Sequence, residues 1–227
     1  MTSRRAWLVI LVAPALFLAA QLGAKGSDAP AATNNRPEVS IDAAKLAEFA
    51  GTYQLDAHRY FAAVVDQAGR LRIRLTGQPF FPYVYVGNDR FRNPRFAAEF
   101  AFSRNAAGQI EKVTMRQSWM EMIARRMPGP GPTVLFPSAE KLQPYVGTYE
   151  FSADSRLEIT VNGDQLFAQL AAQPAFPVYC DRPDHFVYEV INAAVNFERN
   201  ADNTVSGLTL DQGARSTRAS RLPSPKP

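Results

Sequence analysis

Few residues in this chain stand at spacings that a reaction needs. Ser138-Ala139-Glu140-Lys141 fits the S-x-x-K pattern, in which a lysine amine activates a serine nucleophile. It has neither a Lys-Thr-Gly segment nor an accompanying tyrosine motif, and it falls where a helix is expected to begin. No G-x-S-x-G elbow, phosphate-binding loop or dinucleotide fingerprint occurs. The only histidines are His58 and His185, which read as turn or surface residues rather than as a metal pair. The single cysteine, Cys180, excludes an internal disulfide and a cysteine-built zinc site, and reads as a half-buried strand residue. The carboxylates are scattered, with no pair set for acid–base work. We therefore expect no catalytic residues, no metal and no cofactor.

Two other clusters could make contacts instead. Arg70, Arg72 and Arg74 alternate with Leu71, Ile73 and Leu75, and Arg90, Arg92 and Arg95 follow. Three cations on one strand face repel each other unless solvated or paired. They form either an ordinary outer face or a contact surface for the second half of the chain or an anionic polymer. Trp119, Met120, Met122, Ile123 and Met127 are either core packing or an adaptable apolar contact. Tyr53, Phe81, Tyr149 and Phe176 are candidates for lining an interior.

The elements that must position these residues follow from an internal repeat. Phe49-Ala50-Gly51-Thr52-Tyr53 returns as Tyr145-Val146-Gly147-Thr148-Tyr149, 96 residues on. Leu71–Pro82 returns as Leu166–Pro177, and Phe102-Ser103-Arg104-Asn105 as Phe197-Glu198-Arg199-Asn200, both 95 residues on. Val113–Gln117 likewise returns as Leu208–Gln212. The repeat units run over Lys45–Met127 and Ser138–Leu222. Pro128-Gly129-Pro130-Gly131-Pro132, which resists helix and sheet, lies between them.

Each unit opens with a short helix, capped by Ser40 or Asp42 in the first and by Ser138 in the second. Alternation of Leu71, Ile73 and Leu75 with Arg72 and Arg74 is the period of a strand. In the second unit strands are expected near 147–152, 156–162, 165–171, 176–180, 185–190, 194–199, 204–211 and 214–219. The fold class is all-β: two small antiparallel barrels of about eight strands, over 40–127 and 138–222, joined by a Pro/Gly linker at 128–137, with a tail at 223–227. Closure removes exposed sheet edges.

Residues 1–24 read as a secretory signal. Arg4 and Arg5 precede an apolar run from Ala6 to Ala20, and Leu22-Gly23-Ala24 offers a cleavage sequence. Ser3-Arg4-Arg5 also fits twin-arginine export, and an uncleaved anchor is the weaker alternative. Residues 25–39 read as a flexible leader. The net charge of +4 includes two signal arginines, so the mature chain carries 23 basic against 21 acidic residues. This balance and the export signal disfavour nucleic acid as a partner. The halves differ more: the first unit has 13 basic and 7 acidic residues, a net of +6, and the second has 7 and 11, a net of −4.

Leu142-Gln143-Pro144-Tyr145-Val146-Gly147-Thr148-Tyr149-Glu150, Leu166–Leu170 and Gln173–Pro177, with the blocks at Phe197 and Gly207-Leu208, resemble a known domain. It is the lipocalin-like C-terminal accessory domain of penicillin-binding-protein-like and β-lactamase-related serine peptidases. The first unit resembles it more loosely, departing at Arg92-Asn93-Pro94-Arg95 and in its Met-rich last hairpin. The resemblance implies eight-stranded barrels with assembly or substrate-access roles and no chemistry of their own. The expected function is thus a non-catalytic binding or assembly module, periplasmic or secreted. Its partner would be an envelope protein or an anionic envelope polymer, and a homo-oligomer stays open. The alternatives are a carrier of a small apolar ligand and a hydrolase with an unrecognised site.

Overall fold

Asp42 starts the first regular element. Its Oδ1 accepts the N–H groups of Ala44 (2.8 Å) and Lys45 (3.3 Å), satisfying two orphan donors of helix α1 (Ala43–Ala47). Asp42 rather than Ser40 is the cap. Helix α2 (Ala139–Leu142) follows Ser138, which sits at the cap position but makes no side-chain cap bond. Leu46 and Leu142 are the buried residues of these helices. The computed structural model describes residues 37–223. Residues 1–24, read above as a secretory signal, residues 25–36 of the expected leader and residues 224–227 lie outside the described residues.

The first unit contains β1 (Gly51–Gln54), β2 (Tyr60–Val65), β3 (Leu71–Leu75), β4 (Phe81–Tyr85), β5 (Arg90–Arg92), β6 (Ala98–Arg104), β7 (Ile110–Gln117) and β8 (Met120–Arg126). Each pairs antiparallel with the next, and β8 returns to β1 to close a barrel. The second unit adds a 3-10 turn, Gln143–Tyr145, and then β9 (Gly147–Ser152), β10 (Ser155–Asn162), β11 (Gln165–Leu170), β12 (Phe176–Arg182), β13 (His185–Val187), β14 (Ala193–Arg199), β15 (Val205–Gln212) and β16 (Arg215–Arg221). These close a second barrel through β16 and β9. The strands fall within a few residues of their expected positions, because period-2 burial and Gly/Asn/Asp turns are local signals. Among the described residues no helix is long and apolar enough to cross a membrane.

The repeat is a repeat of register. Phe61 opposes Leu75 as Leu157 opposes Leu170, and Phe102 opposes Val113 as Phe197 opposes Leu208. Each barrel encloses its own apolar cluster, one around Phe49, Tyr53, Phe91 and Phe102, the other around Tyr145, Tyr149, Phe186 and Phe197.

One clasp is built twice. The Tyr53 hydroxyl donates to Phe49 O and the Tyr149 hydroxyl to Tyr145 O, both at 2.7 Å. Arg126 donates to Glu48 O and Ala50 O, and Arg221 to Pro144 O and Val146 O. The last strand thereby holds the turn that enters the first. Gly51 and Gly147 share φ +154°, and a Cβ there would meet Arg126 Nη2 at 3.3 Å or Arg221 Nε at 3.1 Å. The repeated Gly-Thr-Tyr is thus the floor under an arginine. A second repeated pair ties β6 and β14 to the preceding turns: Arg104 to Asp89 (2.6 Å) and Arg199 to Asp184 (2.9 Å).

Residues 128–137 form neither helix nor strand, yet they are packed: Leu135 makes an isolated antiparallel bridge to Cys180.

Candidate functional site

Strand β2, Tyr60-Phe61-Ala62-Ala63-Val64-Val65, is apolar on both faces. Phe61 and Ala63 enter the first core, while Ala62 and Val64 point out into a third apolar cluster with Phe80 and Tyr179. Tyr60, Val134, Phe136 and Val187 pack around that cluster. It lies between the barrels, where β2 and β3 of one meet β12 and β13 of the other. The faces are not repeat-equivalent. In β10, the counterpart of β2, the outward positions are Glu158 and Thr160, both exposed. The contact is therefore asymmetric, and only one face of the first barrel needed to become apolar.

Two of the three aligned arginines are consumed by this joint. Arg72 and Arg74 are 4% and 5% exposed. Arg72 Nε donates to Asp66 Oδ2 (2.7 Å), its Nη1 pairs with Asp164 of the second barrel (2.6 Å), and Phe136 covers it at 4.4 Å. Arg74 pairs with Glu189, whose carboxylate also accepts the Gly77 N–H (2.8 Å). The Arg74 guanidinium lies over Tyr179 at 4.3 Å and Phe80 at 4.8 Å, and the Tyr179 hydroxyl donates to Gln78 O (2.6 Å). Burial lowers the pKa of Arg74 from its usual value and pushes Tyr179 up to about 12. Two cations of the first unit meet two carboxylates of the second here at close range, where a paired charge is far better placed than an unpaired one.

Arg70 stays at the mouth of the joint, half-exposed and paired with Asp66 at 2.9 Å. Asp66 Oδ1 also accepts the amides of Ala68 (3.0 Å) and Arg70 (2.9 Å). Burial raises its pKa, but the hydrogen bonds from Arg72 and Arg70 outweigh that and leave it below the ordinary carboxylate value. An open cleft of about 240 Å³ lies here, lined by Asp66, Gln67, Ala68, Arg70, Arg72 and Phe136. Its charges are already matched within the protein. Arg92 and Arg95 are elsewhere: Arg92 is in β5, and Arg95 is exposed in the β5–β6 connection beside Asn93.

The apolar candidates divide. Met122 packs partly against the first core, and Met120 is half-buried. Trp119 is 92% exposed at the tip of the β7–β8 hairpin, and Ile123 is 52% exposed on its outer face. Ser118 takes φ +53° in this two-residue turn. The repeat-equivalent positions in the second barrel are Ala214, Arg215, Thr217 and Arg218 for Trp119, Met120, Met122 and Ile123. Only the first barrel carries an apolar hairpin.

The interior candidates are packed residues. Tyr53 and Tyr149 are fully buried, Phe176 belongs to the second core, and Phe81 stacks edge-on against Phe96 at 5.3 Å. Phe49, Phe91 and Phe102 meet one another at 4.9–5.6 Å, and Phe61, Tyr83 and Phe100 at 4.9–5.1 Å. Rings at these separations are in contact and fill this part of the first barrel's interior.

The residues with chemical potential are dispersed. Ser138 and Lys141 are both exposed at α2. His58 is exposed in the β1–β2 turn. His185, expected at a turn or the surface, is instead in β13 and half-buried, with Nδ1 on Asp181, because β13 extends the pairing with β12 that far. Cys180 is buried in β12, and burial pushes its thiol up to about 11. A neutral thiol is a poor nucleophile. Among the described residues no group of three or more His, Cys, Asp or Glu could hold a metal.

Sequence reasoning missed the contributions of Glu189, Tyr179, Phe80 and Phe136 to the joint. The available signal was the loss of alternation in β2 relative to β10, since a strand apolar on both faces is covered on both.

Residues 134–221 match the family model described as Domain of unknown function (DUF3471). The match spans the second barrel and begins at Val134, in the segment that bridges to Cys180. No curated protein matches the chain.

Proposed function

We propose that this protein is an exported, non-catalytic binding or assembly module of the bacterial envelope, and that its first barrel makes the contact. The observation behind this reading is Trp119. A large aromatic held in water at a hairpin tip, beside Ile123, is a feature that folding does not require. The second barrel, built on the same register, has Ala214 and Arg218 at those positions and folds without them. The likeness of the second unit to an accessory domain supports the same reading. So does the targeting pattern read at residues 1–24, the layout of an export signal.

The test is site-specific photocrosslinking in intact cells, with the reactive residue at position 119 and, as internal control, at the equivalent position 214. Discrete adducts from 119 and none from 214 are expected. Equal adducts from both positions, or none from 119, would refute the reading. N-terminal sequencing of the exported chain is expected to begin at Lys25.

A further inference from the structure

The β7–β8 hairpin projects beyond its neighbour. Strand β1 pairs with β8 only at Arg126 (opposite Tyr53) and Arg125 (opposite Gln54), and the Met127 N–H reaches Thr52 O. After Gln54 the chain turns away, with the Leu55 and Asp56 amides donating to Arg59 O. Residues Met120–Ala124 therefore have β7 on one side and, among the described residues, no strand on the other. The tight turn closes on the pair Gln117–Met120, so Met120, Met122 and Ala124 direct their backbone groups at β7. Glu121 and Ile123 direct theirs at the open side, as Arg125 and Met127 direct theirs at β1. Four backbone groups, two N–H and two C=O, thus lie in a row on an edge that no strand among the described residues pairs with.

The second barrel has the same open seam, since β9 meets β16 only at Ser220 and Arg221, with the Leu222 N–H on Thr148 O. There the edge is guarded. Arg215 and Arg218 stand along it, and charged side chains are how natural sheets discourage pairing with another chain. On β8 the matching positions are Met120 and Ile123, and Trp119 replaces Ala214. The β16 edge thus carries two cations, while the β8 edge keeps one charge, Glu121, already paired with Arg116.

We propose that the Met120–Ala124 edge of β8 is a strand-addition site, accepting an extended segment of a partner protein in antiparallel pairing with Glu121 and Ile123. This rests on the binding-module reading and names its site. The segment is apolar at alternate positions, to lie against Trp119 and Ile123. It is acidic at its flanks, because the β7–β8 hairpin holds four basic residues (Lys112, Arg116, Arg125, Arg126) against two acidic ones (Glu111, Glu121) in a unit of net charge +6. Arg125, exposed at the foot of the edge and only loosely paired with the exposed Glu111 (3.4 Å), meets one such flank.

The test uses the mature chain and a short synthetic peptide alternating valine and threonine, with aspartates at both ends. Trp119 is the only tryptophan beyond residue 24, so its emission reports this site alone. Binding should blue-shift that emission and slow amide exchange at Glu121 and Ile123. Ile123→Pro removes one outward N–H without touching the β7 ladder, and should abolish binding. Met120→Arg with Ile123→Arg copies the guarded edge, and should weaken binding by about tenfold or more. Arg218→Pro, in the other barrel, should change nothing. Three results would overturn the inference: binding without amide protection, equal binding by Ile123→Pro, or self-association through β8 that excludes the peptide. A chain that ignores such peptides yet still crosslinks from position 119 in cells loses strand addition and keeps the binding reading.

Discussion

Glu189 is the residue on which the joint between the barrels can be tested most sharply. Its side chain is 4% exposed and pairs with Arg74, itself 5% exposed. Glu189→Ala would leave a buried guanidinium without its counter-charge and the Gly77 N–H without its acceptor. Removing one partner of a buried pair costs about 3–5 kcal/mol. The neighbouring pair sets the contrast. Asp164 is more exposed and Arg72 keeps Asp66 as a second partner, so Asp164→Asn should cost only about 1 kcal/mol. Arg74→Met with Glu189→Leu removes both charges and keeps apolar volume against Tyr179 and Phe80. That pair should fall within about 1 kcal/mol of the parent or exceed it. The assay is urea unfolding by circular dichroism on Arg74→Met, Glu189→Leu and their double, with Glu189→Ala alongside and exchange at the Gly77 amide as the local readout. The cycle should give a coupling of at least about 2–3 kcal/mol. A coupling under about 0.5 kcal/mol, with Gly77 equally protected in Glu189→Ala, would refute the account of the joint.

Other consequences are smaller. A Cβ at Gly207 would lie 2.7 Å from Ala219 O, so Gly207→Ala should destabilise the chain by about 1–3 kcal/mol in a denaturation series. Tyr149→Phe forfeits a buried bond to Tyr145 O and should cost about 1 kcal/mol. Tyr188→Phe should be neutral or slightly stabilising, because the Tyr188 hydroxyl has no partner among the described residues. Asp66 has a folded pKa below its unfolded value, so its contribution is complete above about pH 4 and is lost as pH falls through the folded pKa. The stability gap between parent and Asp66→Asn, measured by urea unfolding across pH, should therefore narrow in acid and hold constant from about pH 5 upward.

Much of the architecture is local and could be read along the chain. Asn162-Gly163-Asp164 turns the chain because Gly163 reaches φ +61°, and Leu71, Ile73 and Leu75 alternate because a strand has two faces. The repeat exposed the barrels because equivalent residues keep equivalent partners, as Phe61–Leu75 and Leu157–Leu170 do. The candidate site was only half legible. The arginines and the Trp–Met cluster were both visible as anomalies, but the chain alone could not say which was buried and which was exposed.

What the sequence by itself determined, then, is the repeated eight-stranded module, its strand positions and the opposite charges of its two copies, since all of these rest on periodicity and counting. Tertiary structure decided the rest. It turned Arg72 and Arg74 inward to meet Asp164 and Glu189, and it left Trp119 and Ile123 in water. The reason is that alternation assigns a side chain to the inner or outer face of its own sheet, but only the docking of one barrel on another decides whether an outer face meets protein or solvent.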